Sequence, residues 1–233
     1  MEKIINVIMP LIPVLVFILI LAAVFYFSYL EDKRNRERRN AIKNYANNNG
    51  LKYVDRIYGF PSDCDFKMSH DGSNQSSQGI MIGERNGMKF ATFDFSYVTG
   101  SGKSRQEHNT TVCLISGDDR QFPDFFIRKE NAFFDTLGKL FGGQDINFTE
   151  DSEFSKMFVL QGSSEPLVRN YFDSRIRKAF VHHFKNNNVY EAHGDTLAIR
   201  TSGYMDLQGR LNFLNSCVGL FNDIKPSSSN FLS

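Results

Sequence analysis

The run from Ile4 to Leu30 carries no charged residue and is almost wholly aliphatic or aromatic. That meets the length and polarity a helix needs to cross the hydrocarbon layer of a bilayer. Pro10 and Pro13 fall early in it. Because proline is tolerated in a first helical turn and disruptive further in, the spanning helix is predicted to start near Pro10 and to end at Leu30. At about 1.5 Å per residue, residues 11–30 make roughly 30 Å, one bilayer core. A secretory signal peptide fits less well. Only Glu2 and Lys3 precede the run, the run outlasts an h-region of about 7 to 15 residues, and a basic block follows where a cleavage site needs small neutral side chains. A buried soluble helix fits less well again, since core helices rarely lack polar residues around the whole circumference.

From Glu31 to about Asn48 the pattern turns charged and ends in NNNG, which predicts an exposed helix stopping at Gly50. β signals then take over. LKYVDRIY (51–58) reads as a first strand, and the turn-rich segment after it predicts a mobile loop over 71–78. GIMIGERNGMKFATFDFSYV holds Asn86-Gly87 between two apolar-alternating runs, a strong short hairpin signal because a type I′ turn needs two positive φ angles. On its second strand Ala91, Phe93, Phe95 and Tyr97 share the face expected to point into the core, opposite Phe90, Thr92 and Asp94. Strands over 107–116 and 125–128 follow and extend an antiparallel meander.

In NAFFDTLGKLFGG, Phe133, Leu137, Leu140 and Phe141 form one helical face. EFSKMFVLQG alternates like a strand. Ser163, Ser164, Glu165 and Pro166 open a long helix, running to Phe184, on which Val168, Phe172, Ile176, Phe180 and Phe184 recur every four residues. NNNVYEAHG and DTLAIRTSG read as a closing hairpin, and Leu207, Leu211, Leu214, Val218 and Phe221 as a last amphipathic helix. Strands early and helices late, without βαβ alternation, predict an α+β fold: a transmembrane helix, then one soluble domain whose antiparallel sheet is packed by amphipathic helices. The expected division is an anchor (1–30), a basic juxtamembrane helix (31–49), the soluble domain (50–225) and a loose tail (226–233).

Charge adds an orientation. Residues 1–49 hold seven Lys or Arg against four Asp or Glu, a net +3, which leaves 20 against 22, a net −2, for the rest. Lys33, Arg34, Arg36, Arg38, Arg39 and Lys43 all follow the apolar run, and an excess of Lys and Arg within about 15 to 20 residues of a span marks its cytoplasmic side. The N-terminus is therefore expected outside and the domain in the cytosol. The same residues can lie against anionic lipid headgroups at about 1 kcal/mol each. The acidic remainder carries no nucleic-acid footprint. Three cysteines, Cys64, Cys113 and Cys217, make no disulfide framework and read as reduced thiols. The sequons at Asn74, Asn109 and Asn147 read as chance matches in an Asn-rich chain.

Candidate chemistry is sparse. VTGSGKS (98–104) ends like a phosphate-binding loop, but Tyr97 stands where that motif needs its first glycine, and RQEHNTTVCLIS after it reads as a strand rather than a helix. His182 and His183 are adjacent on a helix and cannot share a metal face, and His70, His108 and His193 are scattered, so no metal site or cofactor is expected. The cysteines lack a nucleophile context. Asp94 in FDF and Asp145 in GGQDINF sit among aromatic or apolar neighbours, where a buried carboxyl could serve as acid or base. The 23 phenylalanines, with no tryptophan, predict a heavily aromatic core.

FDFSYVTGSGK, FPDFFIRKENAFFDTLGKLFGGQDINF and EFSKMFVLQGSSEPLVRNYF together resemble an uncharacterised family of bacterial single-pass membrane-anchored proteins sharing FDxxYxxGSGK, RPEN-like and LFGxQDIxF segments. Lys129 stands where that family has the proline of RPEN. The resemblance implies a bacterial inner membrane and carries no catalytic residue. The expected function is a membrane-tethered interaction module with a protein or lipid partner. The alternative is a membrane-bound, hydrolase-like enzyme using Asp94, Asp145 or His193.

Overall fold

The computed structural model describes residues 11–130, 145–184 and 188–225. The helix expected around Phe133–Phe141 and the tail at 226–233 lie outside the described residues. The chain divides into two compact units, residues 1–42 and 43–233. Helix α1 (Leu11–Asn48) is one helix that includes both the apolar run and the charged stretch expected to leave it. It is about 57 Å long. In the first unit the apolar side chains from Val14 to Tyr29 are exposed, and the helix is long and apolar enough to cross a membrane. Past Leu30 the covering turns polar, with a Lys33–Glu37 pair one turn apart.

Helix α1 ends as the NNNG signal predicts. Gly50 takes φ +68°, the Leu51 amide donates to the Ala46 carbonyl (2.9 Å) and the Gly50 amide to the Asn47 carbonyl (3.4 Å). This paired closure satisfies carbonyls that the helix itself cannot.

The second unit is built on an eight-stranded sheet. Its strands are β1 (Lys52–Tyr58), β2 (Ser73–Arg85), β3 (Met88–Thr99), β4 (Gln106–Gly117), β5 (Phe122–Lys129), β6 (Phe158–Gly162), β7 (Val189–Gly194) and β8 (Thr196–Ser202). Every pairing is antiparallel, in the order β1-β2-β3-β4-β8-β7-β5-β6. Its helices are α2 (Ser152–Met157), α3 (Glu165–Tyr171), α4 (Ser174–His183) and α5 (Leu207–Asp223). The fold is α+β. Asn86 and Gly87 close the β2–β3 hairpin at φ 53° and 74°, the double positive angle that a type I′ turn demands.

Four expectations change. The loop expected over 71–78 is largely strand, because β2 already starts at Ser73. Gly72 (φ +62°) makes the entry, and a Cβ there would meet the Val98 carbonyl oxygen at 2.3 Å. The meander holds only for β1 to β4: β8 takes the place beside β4, and β5 pairs with β6 and β7. EFSKMFVLQG is a helix followed by a strand, since the Asp151 carboxylate accepts from the Phe154 amide (3.1 Å) and starts α2. The long helix from Ser164 to Phe184 is two helices. Phe172 leaves helical geometry at ψ 56°, and Asp173 caps α4 by accepting from the Ile176 amide (2.8 Å).

Both faces of the sheet are covered. On one, Phe93, Phe95 and Tyr97 join Val112, Leu114 and Ala198 under Phe66 and Met68 from the segment linking β1 to β2. The core-pointing face of β3 and the apolar stripe of the helices at 165–183 would suit one another, but the stripe does not lie on these aromatics. It packs elsewhere: Val168, Phe172, Ile176 and Phe180 are buried, with the Phe172 and Phe180 rings against Phe125 of β5 (centroids 4.9 and 5.9 Å) and Phe180 against Tyr190 of β7 (5.4 Å). Thr92 and Asp94, on the β3 face opposite Phe93 and Phe95, are buried where Arg210 of α5 meets Asp94.

Candidate functional site

Alternation along β7 puts Glu191 and His193 on the face that carries Ala198 of β8, since Glu191 pairs with Ala198. A register shift between Phe122 and Phe125 lets β5 present Asp124 beside them. The segment before β2 supplies Asp65 and Lys67, and Ser163 follows β6. These side chains line a polar cleft of about 270 Å³.

Inside it, His193 Nδ1 lies 2.9 Å from Asp124 Oδ1, with both side chains about half exposed. Ser163 Oγ donates to the other oxygen of Asp124 at 3.5 Å. The serine and the imidazole thus contact the same carboxylate, whereas nucleophilic catalysis needs the base between the hydroxyl and the carboxylate. Glu191 is 4% exposed and accepts from the backbone amides of Lys67 (2.5 Å) and Met68 (3.1 Å). It tethers the short 3₁₀ turn Lys67–His70 to the sheet. At the outer edge His70 Nε2 stands 2.5 Å from Asp65, and that contact holds the Asp65 carboxyl below its ordinary value.

Burial pushes the Glu191 carboxyl above its ordinary range, while the two amides and the charges of Arg200 and Lys67 pull the other way. A raised acid binds its proton more tightly folded than unfolded. Its contribution is therefore fully present below the ordinary glutamate value of about 4.3 and is lost as pH rises through the folded value. Urea titrations at about pH 5 and about pH 8 should show the wild type losing more stability over that interval than Glu191→Gln. Equal losses would mean that Glu191 ionises as freely in the folded protein as in the unfolded chain.

Of the three residues considered for catalysis, only His193 lines this cleft. Asp94 is buried in an ion pair with Arg210. Asp145 is exposed and accepts from Gln161 Nε2 at 2.9 Å. Among the described residues no group of three His, Cys, Asp or Glu is arranged to hold a metal. Lys103 is exposed in the short turn Gly102–Ser104, and β4 follows it rather than a helix. Cys113 and Cys217 are buried and free, Cys64 is half-buried and free, and burial with the neighbouring Cys113 pushes the Cys217 thiol up. Lys33, Arg34, Arg36 and Lys43 are exposed on α1, while Arg38 and Arg39 are half-buried.

The sequence reading passed over Asp124, Glu191, Arg200 and Arg210. A signal for the last three was present. Glu191 and Arg200 interrupt the apolar runs VYEAHG and LAIRTS, and Arg210 falls between Leu207 and Leu214 on an apolar helical stripe. A charge at such a position is buried and must find a partner.

The chain shares its fold with a mycobacterial transport factor. The crystal structure of the mycobacterial trehalose monomycolate transport factor A, TtfA, is similar at TM-score 0.53 and 9% identity, over 83% of this chain and 99% of that one. At that identity the likeness establishes the fold alone. Scans of family models and of curated proteins gave no match.

Proposed function

We propose that this protein is a membrane-tethered interaction module without a catalytic centre of its own. The observation that carries the reading is α1: one unbroken helix passes from an exposed, almost wholly apolar stretch into a charged one and delivers the chain to a folded domain. In this reading residues 10–30 span the bilayer of a bacterial inner membrane. Lys33, Arg34, Arg36, Arg38, Arg39 and Lys43 stand on its cytosolic side near anionic headgroups, and the N-terminus is outside. The resemblance to bacterial membrane-anchored proteins supports the compartment. The shared fold supports the role, since the similar structure is named as a transport factor and not as an enzyme. The hydrolase-like alternative loses its constellation, because Asp94, Asp145 and His193 occupy three separate environments. The cleft at His193, with exposed ionic and hydroxyl groups around an immobile Glu191, is the surface we assign to a protein partner.

Two measurements test this. Asp118 is 90% exposed, so Asp118→Cys in a Cys64→Ser background gives a single accessible thiol. A membrane-impermeant maleimide should label it only after the cells are permeabilised. Labelling in intact cells would reverse the orientation. A photo-crosslinking side chain at position 163 should give a discrete protein adduct in native membranes that Asp124→Ala abolishes, with none from position 89. Equal yields at both positions would remove the cleft as the docking surface.

A further inference from the structure

Among the described residues, the non-glycine positions held at positive φ are Asn74 (52°) and Asn86 (53°). Asn86 is followed by Gly87, and the only other Asn-Gly pair in the chain is Asn49-Gly50. Such a pair has a chemistry of its own, because a glycine nitrogen, with no Cβ beside it, can turn back on the carboxamide that precedes it.

The structure treats the two pairs differently. Asn49 is tied down: its Nδ2 donates to the Tyr45 carbonyl at 2.8 Å, and the Gly50 amide donates to the Asn47 carbonyl at 3.4 Å. Asn86 and Gly87 are both exposed, and neither the Asn86 carboxamide nor the Gly87 amide has a hydrogen-bond partner. A Cβ built on Gly87 would meet nothing within 4 Å, so the turn stands open to water. Asn74 shares the positive φ but is followed by Gln75, whose Nε2 is bonded to the carbonyls of Ser69 (2.8 Å) and Asp71 (3.0 Å). The Asn86-Gly87 turn is closed by the Arg85–Met88 pair at the end of the β2–β3 ladder, and ladder ends open readily.

We propose that Asn86 is a site of spontaneous deamidation whose product is an isoaspartyl residue at the tip of the β2–β3 hairpin. When the ladder end opens, the Gly87 nitrogen attacks the Asn86 Cγ. The new N–Cγ bond closes a succinimide, the Cγ–Nδ2 bond breaks, and Nδ2 leaves as ammonia with the proton of the Gly87 nitrogen. Water then opens the ring. Opening at the side-chain carbonyl leaves aspartate, and opening at the main-chain carbonyl leaves isoaspartate, in which the chain runs through Cβ and Cγ to Gly87. Water is the only reagent, and nothing is oxidised or reduced. The isoaspartyl form adds a methylene to the main chain where a type I′ turn needs two residues at positive φ, so the tip no longer closes. It also sets a new carboxylate two residues from Glu84.

The test ages the full chain in lipid nanodiscs in warm, mildly alkaline buffer. An isoaspartyl methyltransferase with labelled S-adenosylmethionine is the probe, read by peptide mapping. Methyl acceptance should rise with time in the peptide holding residue 86, roughly tenfold faster than at residue 49, where two hydrogen bonds must first break. The amide of Met88, which closes the turn, should exchange its hydrogen faster in the aged chain. Asn86→Gly keeps the turn, since glycine takes positive φ freely, and should remove most of the methyl acceptance of the aged protein. No acceptance at residue 86, equal rates at residues 49 and 86, or undiminished acceptance in Asn86→Gly would each overturn the proposal.

Discussion

Arg210→Ala is expected to destabilise the folded domain by about 3 to 5 kcal/mol, the range seen when one partner of a buried ion pair is removed. Arg210 and Asp94 are 0% and 1% exposed and join α5 to the middle of β3. Arg210 Nη1 also donates to the Gly79 carbonyl at 2.6 Å, so one guanidinium ties the helix to β2 and β3 together. Removing it leaves the Asp94 carboxylate in a dry interface with its strongest partner gone, and an unpaired buried charge is the larger part of the penalty. Against a typical domain stability of about 5 to 15 kcal/mol, that loss should lower the melting temperature of the full chain in mild detergent by roughly 10 °C. The double variant Arg210→Met with Asp94→Leu should recover much of it, because an apolar pair of similar volume needs no compensation. If the double variant melted no higher than Arg210→Ala, the lost guanidinium bonds rather than the stranded charge would be responsible.

The second large effect is expected at Phe172. Its ring is fully buried at the joint between α3 and α4, with Phe125, Tyr171 and Phe180 at centroid distances of 4.9, 5.3 and 5.3 Å. Its carbonyl accepts from Arg177 Nη1 at 2.8 Å, which fixes the backbone where the helix breaks. Neighbours held this firmly cannot collapse into the space left by truncation, so Phe172→Ala should cost about 3 to 5 kcal/mol. Lys178, exposed on α4, supplies the control, and Lys178→Ala should stay within about 0.5 kcal/mol. Arg175 on the same helix does not serve as that control, because its guanidinium donates to the carbonyls of Asp223 and Lys225, both at 2.5 Å. Equal melting temperatures for the Phe172 and Lys178 variants would show that the aromatic cluster is not what fastens these helices to the sheet.

Much of the fold was legible because its signals are local. Asn86-Gly87 dictates its own hairpin, the β7–β8 hairpin and α5 follow from short-range periodicity, and Gly50 closes α1 through bonds within five residues. Two kinds of information were not local. The capping carboxylates of Asp151 and Asp173 override a strand alternation and a four-residue helical stripe, because one side chain accepting a backbone amide starts a new helix whatever the apolar spacing around it. The place of β8 beside β4 depends on residues far apart in the chain, and no periodicity records which edge a hairpin will join. The cleft suffered the same way. His193 is visible in the sequence, but its partner Asp124 reaches it from a strand on the other side of a long excursion.

That strand order has a consequence for biosynthesis. Strands β1 to β4 can pair as they emerge, but the outer edge of β4 exposes the backbone of Val112, Cys113, Leu114 and Ile115 until β8 arrives at Thr196–Ser202. At about 5 to 20 residues per second, the roughly 80 intervening residues keep that edge bare for about 4 to 16 seconds. Throughout that interval the nascent chain offers a flat, apolar template to any other strand nearby, and the ribosome-bound half-sheet depends on chaperones or on its own dilution to stay single.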